Sequence, residues 1–281
     1  MTTPSSPPVS PQNSNPHARF YRLLYRLPLV VLYIAIALSL LILLALRRAP
    51  VSARAACLHR WCARILRWLG LHLRTIGSPP ANGVIVANHQ SYLDIFIASA
   101  ATPCVFVSKK EVRAYPVIGI TAALAGTIFI DRHRSASLQA IGVEMEDALR
   151  DHAPVCFFPE GTTTDGRSLL RFHAALFAPT VRLGSTVTPT AITYALPAGG
   201  DPAQLVAYWG PMTMLPHALR LLTLPRVEAT LHFSPDRFIP AAPAPNAAAS
   251  THVDHHHQAA RNAANRAHDI VLAMLSSRPS R

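Results

Sequence analysis

Seven residues, Asn88 to Asp94, hold the most chemically pointed stretch of the chain: Asn-His-Gln-Ser-Tyr-Leu-Asp. A carboxylate hydrogen-bonded to one imidazole nitrogen fixes the tautomer and leaves the other nitrogen free to take a proton. His89 with Asp94 would therefore be a general base aimed at a hydroxyl. On one continuous helix the two would lie about 140° apart around the axis. They can meet if His89 is still in a turn and Asp94 already sits in the first helical turn. An isolated His-x-x-x-x-Asp is also what a plain helix start with a surface histidine looks like, so the surrounding chain has to decide.

The elements that must position this pair begin with Gly83-Val84-Ile85-Val86-Ala87, a short β-branched run after the turn-formers Pro79 to Asn82. It reads as a buried strand, and Ile95 to Ala101 continues beyond the motif as a short helix. Further strands are expected at Cys104 to Val107, Thr127 to Ile130, Val155 to Phe158, Thr186 to Tyr194, Gln204 to Tyr208 and Val227 to Phe233. Helices are expected at Ser137 to Asp151 and at Leu170 to Leu183, the latter broken or kinked by Pro179. The fold class is α/β: a mixed, largely parallel sheet flanked by helices. Two more strands end in polar clusters, Asp131-Arg132 and Pro159-Glu160-Gly161-Thr162-Thr163-Thr164-Asp165-Gly166. Ligands of open α/β sheets bind at the carboxyl ends of the strands. If the strands are parallel neighbours, a base with its acid, a guanidinium, and a carboxylate beside a Gly/Thr turn converge on one edge. Those parts suit acyl transfer to a hydroxyl of an anionic substrate. Lys109-Lys110 is either a solvated turn or a further anion contact.

The amino-terminal third has a different character. The formal net charge is +12, and no acidic residue precedes Asp94, whereas ten arginines do. A basic, acid-free block points to an anionic surface, nucleic acid or lipid. Leu27 to Leu46 is an uncharged stretch of 20 residues, about 30 Å as a helix and enough to cross a bilayer. That is longer than the usual signal-peptide core, and a polar segment lies in front of it. Arginines are denser after the stretch than before it, so the positive-inside rule expects a cytoplasmic membrane protein with one amino-terminal span and its main domain on the cytoplasmic side. From Leu58 to Leu69, Trp and Leu alternate at helical spacing with Arg60, Arg64 and Arg67, as in a helix lying in the membrane interface or one packed on the domain. The expected organisation is a disordered tail (1–18), an anchor with an interfacial helix (19–70), a catalytic domain (71–239), and a Pro/Ala linker with a last helix (240–281). The arginines flank an apolar span and do not form an aromatic-studded face, so nucleic acid is not the expected partner. The histidines from His252 to His257 have no second ligand cluster, so no metal is expected. Cys57, Cys62, Cys104 and Cys156 show no Cys-x-x-Cys spacing and fit reduced, packed thiols.

Four blocks together resemble the glycerolipid acyltransferase family that includes the 1-acylglycerol-3-phosphate and lysophospholipid acyltransferases. They are Asn88-His89 to Asp94, Gly126 to Arg132, Phe158-Pro159-Glu160-Gly161-Thr162, and Val187-Thr188-Pro189-Thr190-Ala191. The resemblance implies acyl-CoA or acyl-carrier protein as co-substrate, no further cofactor, membrane lipids as partners and a lysolipid acceptor. It assigns His89 as general base and Asp94 as its partner, Arg132 to the acceptor's anionic headgroup, and Glu160, Gly161 and Thr162 to the acceptor site. It points first to 1-acyl-sn-glycerol-3-phosphate, giving phosphatidic acid, with lyso-ornithine lipid or another lysophospholipid as the alternative. Thr163 stands where many lysophosphatidate enzymes of the family carry an arginine, which removes a bidentate phosphate partner. A catalytically silent lipid-binding protein is the rival class.

Overall fold

A computed structural model of the chain describes residues 15–131, 136–241 and 249–277. Two amino-terminal helices, α1 (Pro16–Leu46) and α2 (Val51–Trp68), precede strand β1 (Leu71–Ile76). Next come β2 (Val84–Ala87), α3 (Leu93–Ala101), β3 (Val105–Lys109), a 3-10 turn (Lys110–Ala114), α4 (Ile118–Leu124), β4 (Ile128–Ile130), α5 (Ala136–Arg150) and β5 (Val155–Phe157). A second 3-10 turn (Ala174–Phe177) leads to α6 (Ala178–Arg182), β6 (Val187–Ala195), α7 (Pro202–Leu205), α8 (Met214–Thr223), β7 (Val227–Phe233) and α9 (Ala249–Ser276).

The strands form one sheet in the order β1-β7-β6-β2-β5-β3-β4. Every neighbouring pair is parallel except β6 with β7. Strand β2 shows why the sheet is central: all four of its residues are buried. Val84 and Val86 face one core with Ile141, Met145, Phe177 and the alanines of α9. Ile85 and Ala87 face the other, with Leu93, Ile97, Leu66 and Leu224. A strand covered on both faces reads as a continuous apolar run, as this one does.

Two expectations are corrected and one strand is added. Gln204 to Tyr208 is not a strand: Asp201 accepts the Ala203 N–H at 2.9 Å, and Pro202 opens the helical turn α7. An Asp-Pro helix start outweighs a five-residue apolar run. Leu170 to Leu183 is helical only from Ala174, in two short pieces, with Pro179 in the first turn of α6 where its missing N–H is harmless. Strand β1 was not anticipated, although Leu71-His72-Leu73-Arg74-Thr75-Ile76 pairs in parallel with β7 along its length.

Helix α1 begins at Pro16 and runs unbroken through the apolar stretch. Its first turns dock on the domain by guanidinium chemistry. Arg26 is buried and donates to the carbonyls of Leu222 (3.1 Å) and Leu224 (2.6 Å), while Arg22 Nε donates to Thr223 O at 2.7 Å. These carbonyls, at and just past the end of α8, are ones an arginine readily satisfies. Near its other end, Leu41 is buried against Cys57 and Ala125. Most of α1 between these points exposes Leu, Ile and Val. Helix α2 packs through Ala55, Cys57, Cys62 and Leu66 and leaves Arg60, Arg64 and Arg67 exposed. It is packed on the domain and still presents a cationic stripe.

Candidate active site

The carboxyl ends of β2 and β5 are adjacent because the two strands pair directly. His89 follows β2 in an irregular turn, and Asp94 lies in the first turn of α3. The pair meets in the arrangement the spacing requires: His89 Nδ1 is 2.8 Å from Asp94 Oδ2. The same oxygen accepts the N–H groups of Gln90 (2.7 Å) and Ser91 (2.9 Å), and Asp94 Oδ1 accepts the Tyr194 hydroxyl at 2.6 Å. An acid in the first helical turn also sits favourably on the helix dipole. The His89 side chain keeps 17% of its surface exposed and Asp94 none, so only the imidazole can reach a substrate. The imidazole stacks on Phe158, with centroids 4.1 Å apart and planes 11° apart. With Nδ1 turned to the carboxylate, Nε2 is the nitrogen left to exchange a proton.

Two further side chains hold the turn that carries His89. Asn88 acts as a surrogate strand residue: its Oδ1 accepts the Ile192 N–H at 2.7 Å and its Nδ2 donates to Ile192 O at 3.0 Å. Glu160 is buried and accepts the His89 N–H at 2.7 Å on one oxygen and the Leu170 N–H at 2.9 Å on the other. Burial pushes its carboxyl above the usual range, against the pull of both N–H donors. Both oxygens are thus occupied by backbone, and Glu160 shapes the site by tying the β5 loop to the β2 loop. Burial and the Asp94 carboxylate raise the Tyr194 phenol well above its ordinary value, so it stays a donor.

The loop after Glu160 runs over the turn that carries His89. Gly161 takes a left-handed φ of 74° and closes a turn onto Phe158 O. Thr162 is exposed. The Thr164 N–H donates to His89 O at 3.0 Å. Gly166 crosses close to the Gln90 side chain at a left-handed φ of 77°, a conformation that favours glycine. Gln90, Asp165, Arg167, Thr193 and Asp201 line a cavity of about 310 Å³ beside the turn. In it Arg167 bonds Asp201 at 2.6 Å and lies 3.9 Å from Asp165.

The strand that leads to the third expected cluster is not adjacent. β4 stands three strands from β2, about 14 Å at normal strand spacing. Arg132 itself lies outside the described residues, and Asp131 before it pairs with Lys110 at 2.6 Å. Sequence reasoning missed Tyr194, the stacking of Phe158 on His89 and the clamping role of Asn88. Phe158 already opens the Pro159-Glu160-Gly161 block, whereas nothing local marks a tyrosine 100 residues away as a partner of Asp94. Tyr194→Phe should cost about 1.5–3 kcal/mol of stability, the usual net worth of a hydrogen bond to a charged group. It should also lower kcat more than it raises KM, which steady-state kinetics with thermal unfolding would check.

Residues 74–193 match the family described as Acyltransferase. A lyso-ornithine lipid O-acyltransferase of Pseudomonas aeruginosa is 36% identical over 207 residues, covering 72% of this chain and 79% of that protein. A 1-acyl-sn-glycerol-3-phosphate acyltransferase of Neisseria gonorrhoeae is 39% identical over 127 residues, 45% of this chain and 50% of that protein. The crystal structure of a 1-acyl-sn-glycerophosphate acyltransferase from Thermotoga maritima shares the fold, with a TM-score of 0.59 at 20% identity, covering 94% of this chain and 98% of that one. With a His/Asp pair at the sheet edge and relatives aligned across most of its length, the chain belongs to the acyltransferase family.

Proposed function

We propose that the chain moves a fatty acyl group from a thioester of coenzyme A or acyl-carrier protein to the free hydroxyl of a membrane lysolipid. The observation that carries this is the His89–Asp94 contact of 2.8 Å, with the carboxylate sealed away and the imidazole reachable. Neutral His89 takes the hydroxyl proton at Nε2 as the oxygen attacks the thioester carbonyl. The C–S bond breaks, and the departing thiolate takes the proton back from the imidazolium. No acyl-enzyme is needed. Asp94 orients the ring and stabilises its charged form. Arg132 is assigned to the headgroup anion from the sequence resemblance alone, and Gly161 and Thr162 to the edge of the acceptor site.

For the acceptor, lyso-ornithine lipid is the first reading. The alignment to the enzyme of that name spans 72% of this chain, against 45% for the glycerophosphate enzyme. Thr163 supplies no guanidinium for a phosphate. The Asp165–Arg167–Asp201 set beside the catalytic turn carries both signs, as does a headgroup with one carboxylate and one ammonium. Phosphatidic acid synthesis from 1-acyl-sn-glycerol-3-phosphate is the second reading, favoured by the Neisseria match. Detergent-solubilised protein given one acyl-CoA and both acceptors, with free thiol as readout, should turn over lyso-ornithine lipid faster. A preference for the phosphate acceptor would reverse the order. Absence of turnover with either, using CoA and carrier-protein donors alike, would reinstate a silent lipid-binding protein.

The mostly exposed apolar helix α1 supports membrane association. We place the domain at the cytoplasmic face of the cytoplasmic membrane, whose anionic leaflet the arginine-rich, acid-free amino-terminal third suits. Both Arg26 and Leu41 rest on this same domain. Such docking favours a helix lying in one leaflet alongside the domain over one that carries its amino end across.

A further inference from the structure

Beyond the reaction, and resting on the membrane association proposed above, one surface has no part in the chemistry. From Ala114 to Ile130 the chain carries no charge. Its first part is turned outward: Tyr115 is 47% exposed, Val117 43%, Ile118 41% and Ile120 55%. A soluble domain has no use for four large apolar side chains presented together, and such patches mark interaction surfaces.

The backbone is built to present them. Val117 adopts φ 66° and ψ −57°, and the Ile118 N–H donates to Pro116 O at 2.7 Å. This is a γ-turn of the rare, strained hand, and a β-branched residue at positive φ is a genuine outlier. The strain is held from behind. Gly119 is buried where a Cβ would meet Arg113 O at 2.2 Å, so α4 crosses the preceding 3-10 turn in close contact. The Thr121 N–H and hydroxyl both bond Val117 O, at 2.8 and 2.7 Å. Strain kept in place at an exposed tip accompanies function more often than packing.

Charge and continuity name the occupant. Lys109, Lys110 and Arg113 lie exposed immediately before the tip, with Glu111 also exposed between them and Lys110 paired to Asp131; cations outnumber acids there, the order expected where apolar residues enter a bilayer and cations stay among the phosphates. At its other end α4 meets the lipid-facing helix: Leu124 and Ala125 pack with Leu40, Leu41 and Leu44 of α1. The outward apolar surfaces of α1 and of this tip therefore adjoin. The segment also follows β3, the strand paired with β5, whose end carries Phe158 and Glu160. We propose that Tyr115–Ile120 is a second membrane-contacting element that inserts into an anionic lipid leaflet beside α1, setting the sheet edge with His89 at the depth of the lysolipid hydroxyl.

The test uses full-length protein in vesicles of phosphatidylethanolamine and phosphatidylglycerol. A nitroxide is attached singly through Ile120→Cys, Leu32→Cys in α1, or Ala81→Cys at the opposite edge of the sheet. The four native cysteines are buried, so unsubstituted protein provides the labelling blank. The labels at 120 and 32 should relax more with oxygen than with a water-soluble nickel complex, and the label at 81 the reverse. A label at 120 behaving like that at 81, while 32 reports lipid, overturns this proposal and leaves the anchor standing. If 32 is also aqueous, the membrane reading itself fails. Shielding of 120 from both reagents would mean a protein contact, which also overturns it. Independently, the double variant Ile118→Ser/Ile120→Ser should lose several-fold in turnover of long-chain lysolipid in vesicles while retaining turnover of a monomeric short-chain acceptor. Equal loss on both would assign the segment to folding or the active site.

Discussion

His89→Ala loses about 10²–10⁴-fold in kcat/KM, the range a general base contributes, and still purifies folded. Its fold survives because the turn does not depend on the imidazole. Asp94 keeps the N–H groups of Gln90 and Ser91 and the Tyr194 hydroxyl, and Glu160 keeps the His89 backbone N–H, whatever the side chain. Thermal unfolding should therefore stay close to the parent, and the loss should appear in the chemical step of a single-turnover thiol-release assay. Near-parental turnover in a folded His89→Ala protein would remove the imidazole from the mechanism.

Asp94→Ala behaves differently because the carboxylate is a structural hub as well as a partner. Its removal leaves two backbone N–H groups, one buried phenol and one imidazole nitrogen without their common acceptor. Stranding a buried donor costs about 1–3 kcal/mol, and partial rehydration brings the sum to roughly 3–5 kcal/mol. In a protein of this size that is a fall of about 10 °C in Tm. Activity should drop at least as far as in His89→Ala, since both tautomer and ring position are released. The two variants thus separate: one is stable and inactive, the other unstable and inactive. An Asp94→Ala protein of parental Tm would show that the network is less strained by its loss than its geometry requires.

Much of this was legible in the residues themselves. The β-branched run before Asn88 is strand β2, and the five-residue interval from His89 to Asp94 allowed one workable arrangement, the one found. Strand order was harder. Successive strands β2, β3 and β4 invite a sheet built in that order, yet β5 and β6 flank β2. Pairings between strands distant in the chain are decided by which crossovers bury both faces, a global property that local periodicity does not record. The end of β4, with Asp131 after it, therefore stands farther from His89 than a neighbouring strand would. Glu160 was marked as a site residue by type and position, and its burial was not readable. Only the fold shows that its oxygens face backbone N–H groups.

The docking of α1 also sets a timetable for biosynthesis. Arg26 and its carbonyl acceptors are 196 and 198 residues apart in the chain, and Arg22 lies 201 from its own. At a synthesis rate of about 5–20 residues per second, roughly 10–40 s pass between the emergence of α1 and that of α8. Through that interval a newly made apolar helix has no α8 to cap and no domain to lean on. On the membrane association proposed above, the bilayer is the place for it to wait, and the sheet would then assemble against a helix already seated in lipid.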